Sequence, residues 1–428
     1  MFKTLIQKYL EYLVKKYLRK HKPKLVVVTG SVGKTSTKLA IATVLGEYYR
    51  VRTHDGNHNT HLSAPLAILG VQFPDNVKSL SAWWDVFRAA QERINGPNDV
   101  DVIIQELGTD QPGDIPHFGT YLRPDIAVVT AISDEHMEFF KNLEAVAQEE
   151  LYVAKFSALT IVNRDDISGS YARFATTSNI DTYGLQEPAE YRINLEPASP
   201  LDGRIGKLIT PEWGEIPITL QLVGSQSVKA AVAAAAVAAK LGLTTQHVAV
   251  GLSKLTPVSG RMQVLRGLKD SVLIDDTYNS SPLAVKAALD TLYEIEAEQR
   301  IAILGSMNEM GELSAQAHEQ VGSMCDSQKL AWVVTIGDQA KQFLAPAATK
   351  KGCQVRSFDN PYDAGGFVHS VLAQNAVVLA KGSQNGVFAE EALKILLHST
   401  EEESRLVRQS PYWLGAKSKQ FERPVGED

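Results

Sequence analysis

The chain has 428 residues, 44% hydrophobic and 21% charged, with a net charge of −6. That length exceeds one ordinary hydrophobic core and predicts two or three domains of a folded globular protein, and the acidic balance argues against nucleic acid as the main partner. The two cysteines, Cys325 and Cys353, are too few and too far apart for a metal knuckle or a disulfide framework; they read as buried thiols of a reducing cytosol.

Residues 1–23 differ from everything after them. Phe2, Leu5, Ile6, Tyr9, Leu10, Leu13, Val14, Tyr17 and Leu18 recur at helical spacing, while Lys3, Lys8, Lys15, Lys16, Arg19, Lys20, Lys22 and Lys24 make the other face basic. No run of about eighteen uncharged apolar residues exists, so a spanning helix and a signal peptide are both excluded. Two readings of this amphipathic helix stand: it packs on the domain that follows, or it makes a peripheral contact with anionic lipid or with a protein partner.

The apolar run Leu25–Val28 leads straight into Thr-Gly-Ser-Val-Gly-Lys-Thr-Ser, residues 29–36. A buried strand that runs into a glycine-bearing turn and then a helix forms a phosphate-binding loop, because the glycines turn backbone N–H groups toward the anion and the helix N-terminus favours negative charge. Gly30, Ser31, Gly33, Lys34, Thr35 and Ser36 are therefore the expected nucleotide contacts, with Lys34 as a point charge on the terminal phosphates and the Thr35 hydroxyl on Mg²⁺. The general pattern wants a glycine where this chain has Val28, so the loop is the shorter Gly-x-x-Gly-Lys-Thr form.

Downstream, Val102–Leu107, Ile126–Ile132 and Leu159–Asn163 read as buried strands separated by helical patterns, as a mostly parallel sheet requires. The stretch Gly184–Leu222 predicts an antiparallel excursion before the Ala-rich helix Val228–Lys240. After Thr256–Arg261 the pattern resets, and Val272–Asp275, Ile301–Leu304, Trp332–Ile336 and Ala376–Ala380, each followed by a helix, predict a separate Rossmann-like domain. Glu106 and His136 each follow a strand of the first sheet and should emerge at its carboxyl edge, where ligands of open α/β sheets collect. A Thr hydroxyl, a carboxylate and phosphate oxygens make a plausible Mg²⁺ set; a lone histidine is equally read as an ordinary satisfied polar residue.

Taken together, these motifs resemble the Mur ligase family, the ATP-dependent amide-forming enzymes of cell-wall precursor synthesis, over roughly residues 24 to 415. The resemblance rests on the order along one chain of Thr29–Ser36, Gly56-Asn57-His58-Asn59, Glu106-Leu107-Gly108 with Gly113-Asp114-Ile115, His136-Met137-Glu138, Asn163-Arg164-Asp165-Asp166, Gly260-Arg261-Met262, Asp275-Asp276-Thr277-Tyr278-Asn279, Gly305 with Glu309-Met310-Gly311, and Lys381-Gly382-Ser383. It implies ATP and Mg²⁺ as cofactors and an acyl-phosphate route to an amide. Lys34, Glu106, His136 and Arg261 would be catalytic, and Thr35, Glu106 and His136 would hold metal. Arg261 would reach the nucleotide from the second domain, with Asp276, Tyr278 and Asn279 beside it. Asn57, Asn59, Lys381 and Ser383 would face the substrates. Within the family the pattern is most similar to the branch that adds D-alanyl-D-alanine to a UDP-N-acetylmuramoyl-tripeptide, which implies small-molecule substrates, a cell-wall peptide precursor and D-Ala-D-Ala, for a cytoplasmic monomer. A related ligase on another peptide or polyglutamyl-type acceptor, and a non-catalytic ATP-binding scaffold, are the alternatives.

The chain also departs from the family pattern. Glu150 stands where the family has a lysine carbamylated by CO₂, so Glu150 is expected either to supply a metal carboxylate directly or to be a solvated residue of a Gln-Glu-Glu run. Gln226-Ser227 replaces the usual His-Asn pair after Gly224, and Ser306 stands where an aspartate commonly follows Gly305. The amino-terminal domain that normally grips the uridine nucleotide is not expected here, only the basic helix in its place. The expected layout is α/β throughout: a basic amphipathic helix over 1–23, a central phosphate-loop ATPase domain with a mostly parallel sheet over 24–258, and a Rossmann-like domain over 259–428.

Overall fold

The computed structural model describes residues 2–54, 56, 58–134, 137–175, 179–186 and 188–421. Helix α1 (Phe2–His21) buries Ile6, Leu10, Leu13, Val14 and Tyr17. Its second half shares a core with Leu25, Val27 and Ile103, and its first half packs with Leu66, Trp83 and Val86. The helix is therefore part of the first domain's core, and its packing stripe is the apolar periodicity read from the sequence.

The central sheet has nine strands: β1 (Lys24–Thr29), β2 (Val51–Arg52), β3 (Val102–Glu106), β4 (Ile126–Val129), β5 (Leu159–Asn163), β6 (Asn179–Gly184), β7 (Tyr191–Leu195), β8 (Arg204–Thr210) and β9 (Gly214–Leu220), in the order β2-β3-β1-β4-β5-β6-β7-β8-β9. Pairing is parallel from β2 to β7 and antiparallel from β7 to β9, so the expected antiparallel excursion lies at one edge. β1 is buried at every position after Lys24, the consequence of a β-branched run covered on both faces. One face carries α2 (Lys34–Leu45) and the Ala-rich α7 (Ser225–Lys240), whose small side chains let two helices approach closely. The other carries α1, α3 (Ser63–Leu69), α4 (Leu80–Asn95), α5 (Asp114–Phe118) and α6 (Leu143–Leu151).

Two strands stop sooner than their apolar runs. β4 ends at Val129 because the next residues turn under the phosphate loop, where Ala131 O accepts from Ser31 N at 2.9 Å. β3 ends at Glu106, although Leu107 N still donates to Val28 O at 2.8 Å.

Helix α8 (Thr245–Ser253) closes the first domain, and residues 254–262 lead to the second sheet. Its strands β10 (Gln263–Arg266), β11 (Val272–Asp276), β12 (Arg300–Gly305), β13 (Trp332–Ile336), β14 (Val355–Phe358) and β15 (Val377–Lys381) run in the order β10-β11-β15-β12-β13-β14, parallel except β10. Cys325 and Cys353 are both buried free thiols.

Candidate active site

A cavity of about 250 Å³ lies between the two sheets, floored by the phosphate loop and roofed by the ends of β11 and β15. The loop's shape follows from its glycines. Gly30 sits at φ +119°, and a Cβ there would strike Thr130 Oγ1 and Ala131 N, so no other residue fits against the β4 turn. Lys34 begins α2, and its Nζ rests on the carbonyls of Gly30 and Ser31 at 2.5 and 3.3 Å. Ser31, Gly33, Lys34, Thr35 and Ser36 all line the cavity.

Sheet register explains the company that Thr35 keeps. Glu106 pairs with Val28, the residue before the loop begins, so its carboxylate emerges beside the first turn of α2. Glu106 Oε2 accepts from Thr35 Oγ1 at 3.0 Å and lies 3.5 Å from Lys38 Nζ, while Oε1 accepts from Asn59 Nδ2 at 3.2 Å. Lys38 and Glu106 are both almost fully buried. A buried carboxylate needs such partners. A hydroxyl and a carboxylate side by side are the hard oxygen donors that suit Mg²⁺, and among the described residues no three His, Cys, Asp or Glu side chains cluster as a metal cage. That fits an ion which keeps waters and takes its remaining ligands from phosphates.

From the second domain, Arg261 enters the same site. Its Nη2 donates to Thr35 Oγ1 at 3.2 Å, and its guanidinium lies 4.1 Å from the centre of the Tyr278 ring. The preceding Gly260, at φ +68°, is pressed against Tyr278 and Val407 where a Cβ would collide. Its N–H donates to Asp275 Oδ2 at 3.1 Å. Asp275 is fully buried, and burial pushes its carboxyl up to about 6 despite hydrogen bonds from Thr277. Asp276 and Lys381 are register partners on β11 and β15, and their side chains pair at 2.6 Å; Asp276 Oδ1 also accepts from Met262 N. Arg261 Nε, Ser280 Oγ and Ser281 Oγ are buried without hydrogen-bond partners, and all three residues line the cavity. Unpaired donors of this kind mark a place for a polar ligand.

The structure brings together Lys34, Thr35, Glu106, Asn59, Arg261, Asp276, Tyr278, Asn279 and Lys381 around one cavity. Lys381, expected toward the amine substrate, lines the cavity and contacts Asp276 and the Asn279 carbonyl. Ser383 lies outside the lining: its Oγ accepts from Asn308 N and ties two loops together. Glu150 is neither a solvated residue nor part of the lining. Its Oε2 accepts from Thr29 Oγ1 and, at 2.9 Å, from Gly30 N, so this carboxylate braces the start of the phosphate loop from beneath. Asn57 and His136 fall outside the described residues.

The other departures also have local reasons. Gln226 Nε2 reaches Asp166 Oδ2 at 3.4 Å, and Asp166 is gripped by Lys229 at 2.9 and 2.8 Å. The Asn163–Asp166 motif thereby fixes the first turn of α7 at the cavity. Ser306 turns inward, accepting from Ala340 N at 3.1 Å. In the loop before α3, burial first and then the neighbours His54 and Lys38 push the His58 imidazole down to about 4, so it is neutral near pH 7.

Sequence reasoning missed Lys38, whose spacing one turn after Lys34 was the available signal, and Arg408, which offered none. Arg408 is buried, forms a two-pronged pair with Glu390 at 2.8 and 2.7 Å, and donates to the carbonyls of Thr277 at 2.6 Å and Tyr278 at 3.1 Å. It clamps the backbone that presents Tyr278 to Arg261.

The model of the Mur ligase middle domain matches residues 28–238, and that of the Mur ligase glutamate ligase domain matches residues 260–384. The chain is 28% identical over 396 residues to the UDP-N-acetylmuramoyl-tripeptide–D-alanyl-D-alanine ligase of Bacillus subtilis, covering 91% of this chain and 79% of that protein. It is 27% identical over 394 residues to the enzyme of the same name from Haemophilus influenzae, covering 86% and 76%. Among solved structures, the MurF ligase of Thermotoga maritima in complex with ADP superposes with a TM-score of 0.76 at 23% identity, over 93% of this chain and 84% of that one. A pseudomurein peptide ligase of Methanothermus fervidus shares the fold with a TM-score of 0.65 at 17% identity, over 88% and 79%. With both models matched in order along the two sheets that form the cavity, the chain belongs to the Mur ligase family.

Proposed function

We propose that this chain is an ADP-forming ligase of peptidoglycan precursor synthesis, which uses ATP and Mg²⁺ to join the terminal carboxylate of a UDP-N-acetylmuramoyl-tripeptide to the amine of D-alanyl-D-alanine. The observation that carries it is Arg261 of the second domain meeting Thr35 of the phosphate loop beside Glu106. A carboxylate and a γ-phosphate repel each other, so forming an acyl phosphate needs cations from both sides of the cavity. Lys34 supplies one from the central domain and Arg261 one from the second. Thr35 and Glu106 would hold Mg²⁺, with His136 as a further proposed ligand; the ion supplies charge neutralisation on the phosphates. Glu150 keeps the loop in shape rather than meeting the metal first-hand. Asp276, Tyr278 and Asn279 are assigned to the nucleoside end, and Asn57 and Asn59 to the acceptor, whose anionic groups meet a neutral His58.

In the first step an acceptor carboxylate oxygen bonds to the γ-phosphorus and the bond to the ADP oxygen breaks. In the second the amine nitrogen bonds to the acyl carbon, and the tetrahedral intermediate expels phosphate as the amine loses a proton. Lys381 and Ser383 are proposed to shape the amine side, Lys381 through its pair with Asp276. We place the enzyme in the cytoplasm as a monomer, with residues 1–22 making a peripheral contact outside the molecule.

The test is ADP release by the purified chain with Mg²⁺-ATP, UDP-N-acetylmuramoyl-tripeptide and D-Ala-D-Ala, omitting each in turn and weighing the product. Turnover that needs both acceptor and dipeptide is expected. ADP release with another acceptor alone would transfer the assignment to a related ligase, and none with any acceptor would make the chain a scaffold.

A further inference from the structure

The outer surface of the first domain carries a feature that amide formation does not use. Helices α1 and α4 lie side by side and run in the same direction: Ile6 and Leu10 share a cluster with Trp83 and Val86, Lys16 Nζ donates to Gln91 Oε1 at 3.2 Å, and Lys20 Nζ donates to Ile94 O at 2.8 Å. With 20 and 16 residues they form a ridge about 25–30 Å long. Their buried faces account for only half of their apolar residues. Phe2, Leu5, Tyr9 and Tyr12 recur at one-turn spacing on α1 and are 42%, 62%, 44% and 57% exposed; Leu80 and Trp84, one turn apart on α4, are 71% and 72% exposed. Tyr9 joins the two rows by packing edge-on against Phe87, the next turn of the α4 row, with ring centres 4.8 Å apart.

Charge follows the same surface. Up to Lys24 the chain has seven lysines and one arginine against a single acid, Glu11, in a protein whose net charge is −6. That acid is buried and held by His117 at 2.7 Å, so it does not offset the lysines from outside. Lys3, Lys8, Lys15, Lys16, Arg19 and Lys20 are exposed. On α4, Asp85 is paired with Arg88. Exposed Tyr and Trp among lysines, with no exposed acid on the leading helix, match a bilayer interface: rings settle at headgroup depth, and basic side chains meet anionic headgroups with their stems on the apolar boundary. A folded protein partner would call for a more closed apolar surface rimmed by mixed charge.

The geometry points to the joint α1–α4 face as a docking surface for an anionic lipid bilayer. It also sets where the active site lies relative to the membrane. Glu11 holds His117 of α5, the His117 ring lies 4.5 Å from that of His61, and His61 ends the loop whose Asn59 touches Glu106. The docked ridge and the acceptor loop therefore share one end of the domain. Docking of this kind gives the peripheral contact of residues 1–22 a definite partner, and does not depend on which amide bond the site makes.

The test is co-sedimentation of the full chain, without nucleotide or substrate, with vesicles of phosphatidylcholine plus phosphatidylglycerol and of phosphatidylcholine alone. Pelleting with the anionic vesicles that weakens as salt is raised is expected. Lys8→Glu with Lys15→Glu, and separately Leu5→Glu with Trp84→Glu, should each lower the partition coefficient at least about tenfold. All four positions are exposed, so melting temperature and ADP release in solution should stay at wild-type values. Absence of pelleting with anionic vesicles, equal pelleting with neutral ones, or variants that pellet like wild type would overturn the assignment. So would a wild-type dimer that Leu5→Glu with Trp84→Glu converts to a monomer, because the face would then belong to a second copy.

Discussion

At the edge of the central sheet the groups proposed to meet the anion are main-chain N–H groups beyond Ser31, on a tight turn whose Gly30 N–H is held from beneath by Glu150. At the edge of the second sheet the groups that face the cavity are side chains, Arg261, Asp276 and Lys381, each held by another side chain or by a carbonyl. Backbone donors carry no titratable charge and cannot swing away, which suits the phosphates that every nucleotide shares. Side-chain pairs can exchange one partner for another when a ligand arrives, whereas main-chain donors keep their places. Preorganisation is thus concentrated in one domain and adjustability in the other.

The first way to break this contrast is Lys34→Ala, which removes the cationic side chain that the phosphate loop contributes. ADP release should fall about 10³-fold with the melting temperature within about 2 °C of wild type; wild-type turnover would remove the phosphate-loop assignment. Next comes acidity on the second edge. A carboxyl raised by burial contributes its stabilisation fully below its ordinary value of 3.8 and loses it as pH climbs through about 6. Wild type should therefore weaken relative to Asp275→Asn by roughly 3 kcal/mol between those limits, measured by denaturant unfolding at each pH. A constant difference would mean that Asp275 is not held protonated.

Smaller effects sharpen the division. Arg261→Lys should lower kcat/KM about 10²-fold, because an ammonium keeps the charge but neither the planar fork nor the stacking on Tyr278; near-wild-type kinetics would show that charge alone suffices. Glu150→Gln keeps an acceptor for Gly30 N and should cost only about 1 kcal/mol of stability. Glu150→Ala should lose activity that added bicarbonate does not restore, since this chain has no lysine at that position to carbamylate. Restoration would return Glu150 to the metal.

What could be read from the sequence was whatever is local. The loop Thr29–Ser36 is contiguous, so its chemistry is written in order, and β-branched runs such as Leu25–Val28 announce buried parallel strands within a residue or two. Motif resemblance added Arg261 and Asp276, whose roles no local pattern shows. The pairs that finish the site were not legible. Asp276 meets Lys381 only because β11 and β15 are neighbours in the sheet, and Lys38 meets Glu106 only because β3 lies beside β1. Lys381 is an example: at a strand end it reads as a substrate contact, and the neighbouring strand adds a carboxylate partner that the sequence did not show.

The clamp made by Arg408 bears on how the protein is made. Chains fold domain by domain as they emerge, N-terminal part first. The phosphate loop and its Glu150 brace are complete once the central sheet has formed, whereas the Thr277 and Tyr278 carbonyls wait for Arg408, and Arg408 for Glu390 and the helix that carries Lys417. A nascent chain thus has half of the cavity from the end of the central sheet at Leu220 until Arg408 has emerged. The second half is fastened only once the segment carrying Glu390, Arg408 and Lys417 has emerged, so closure of the cavity wall waits on residues far along the chain from the phosphate loop.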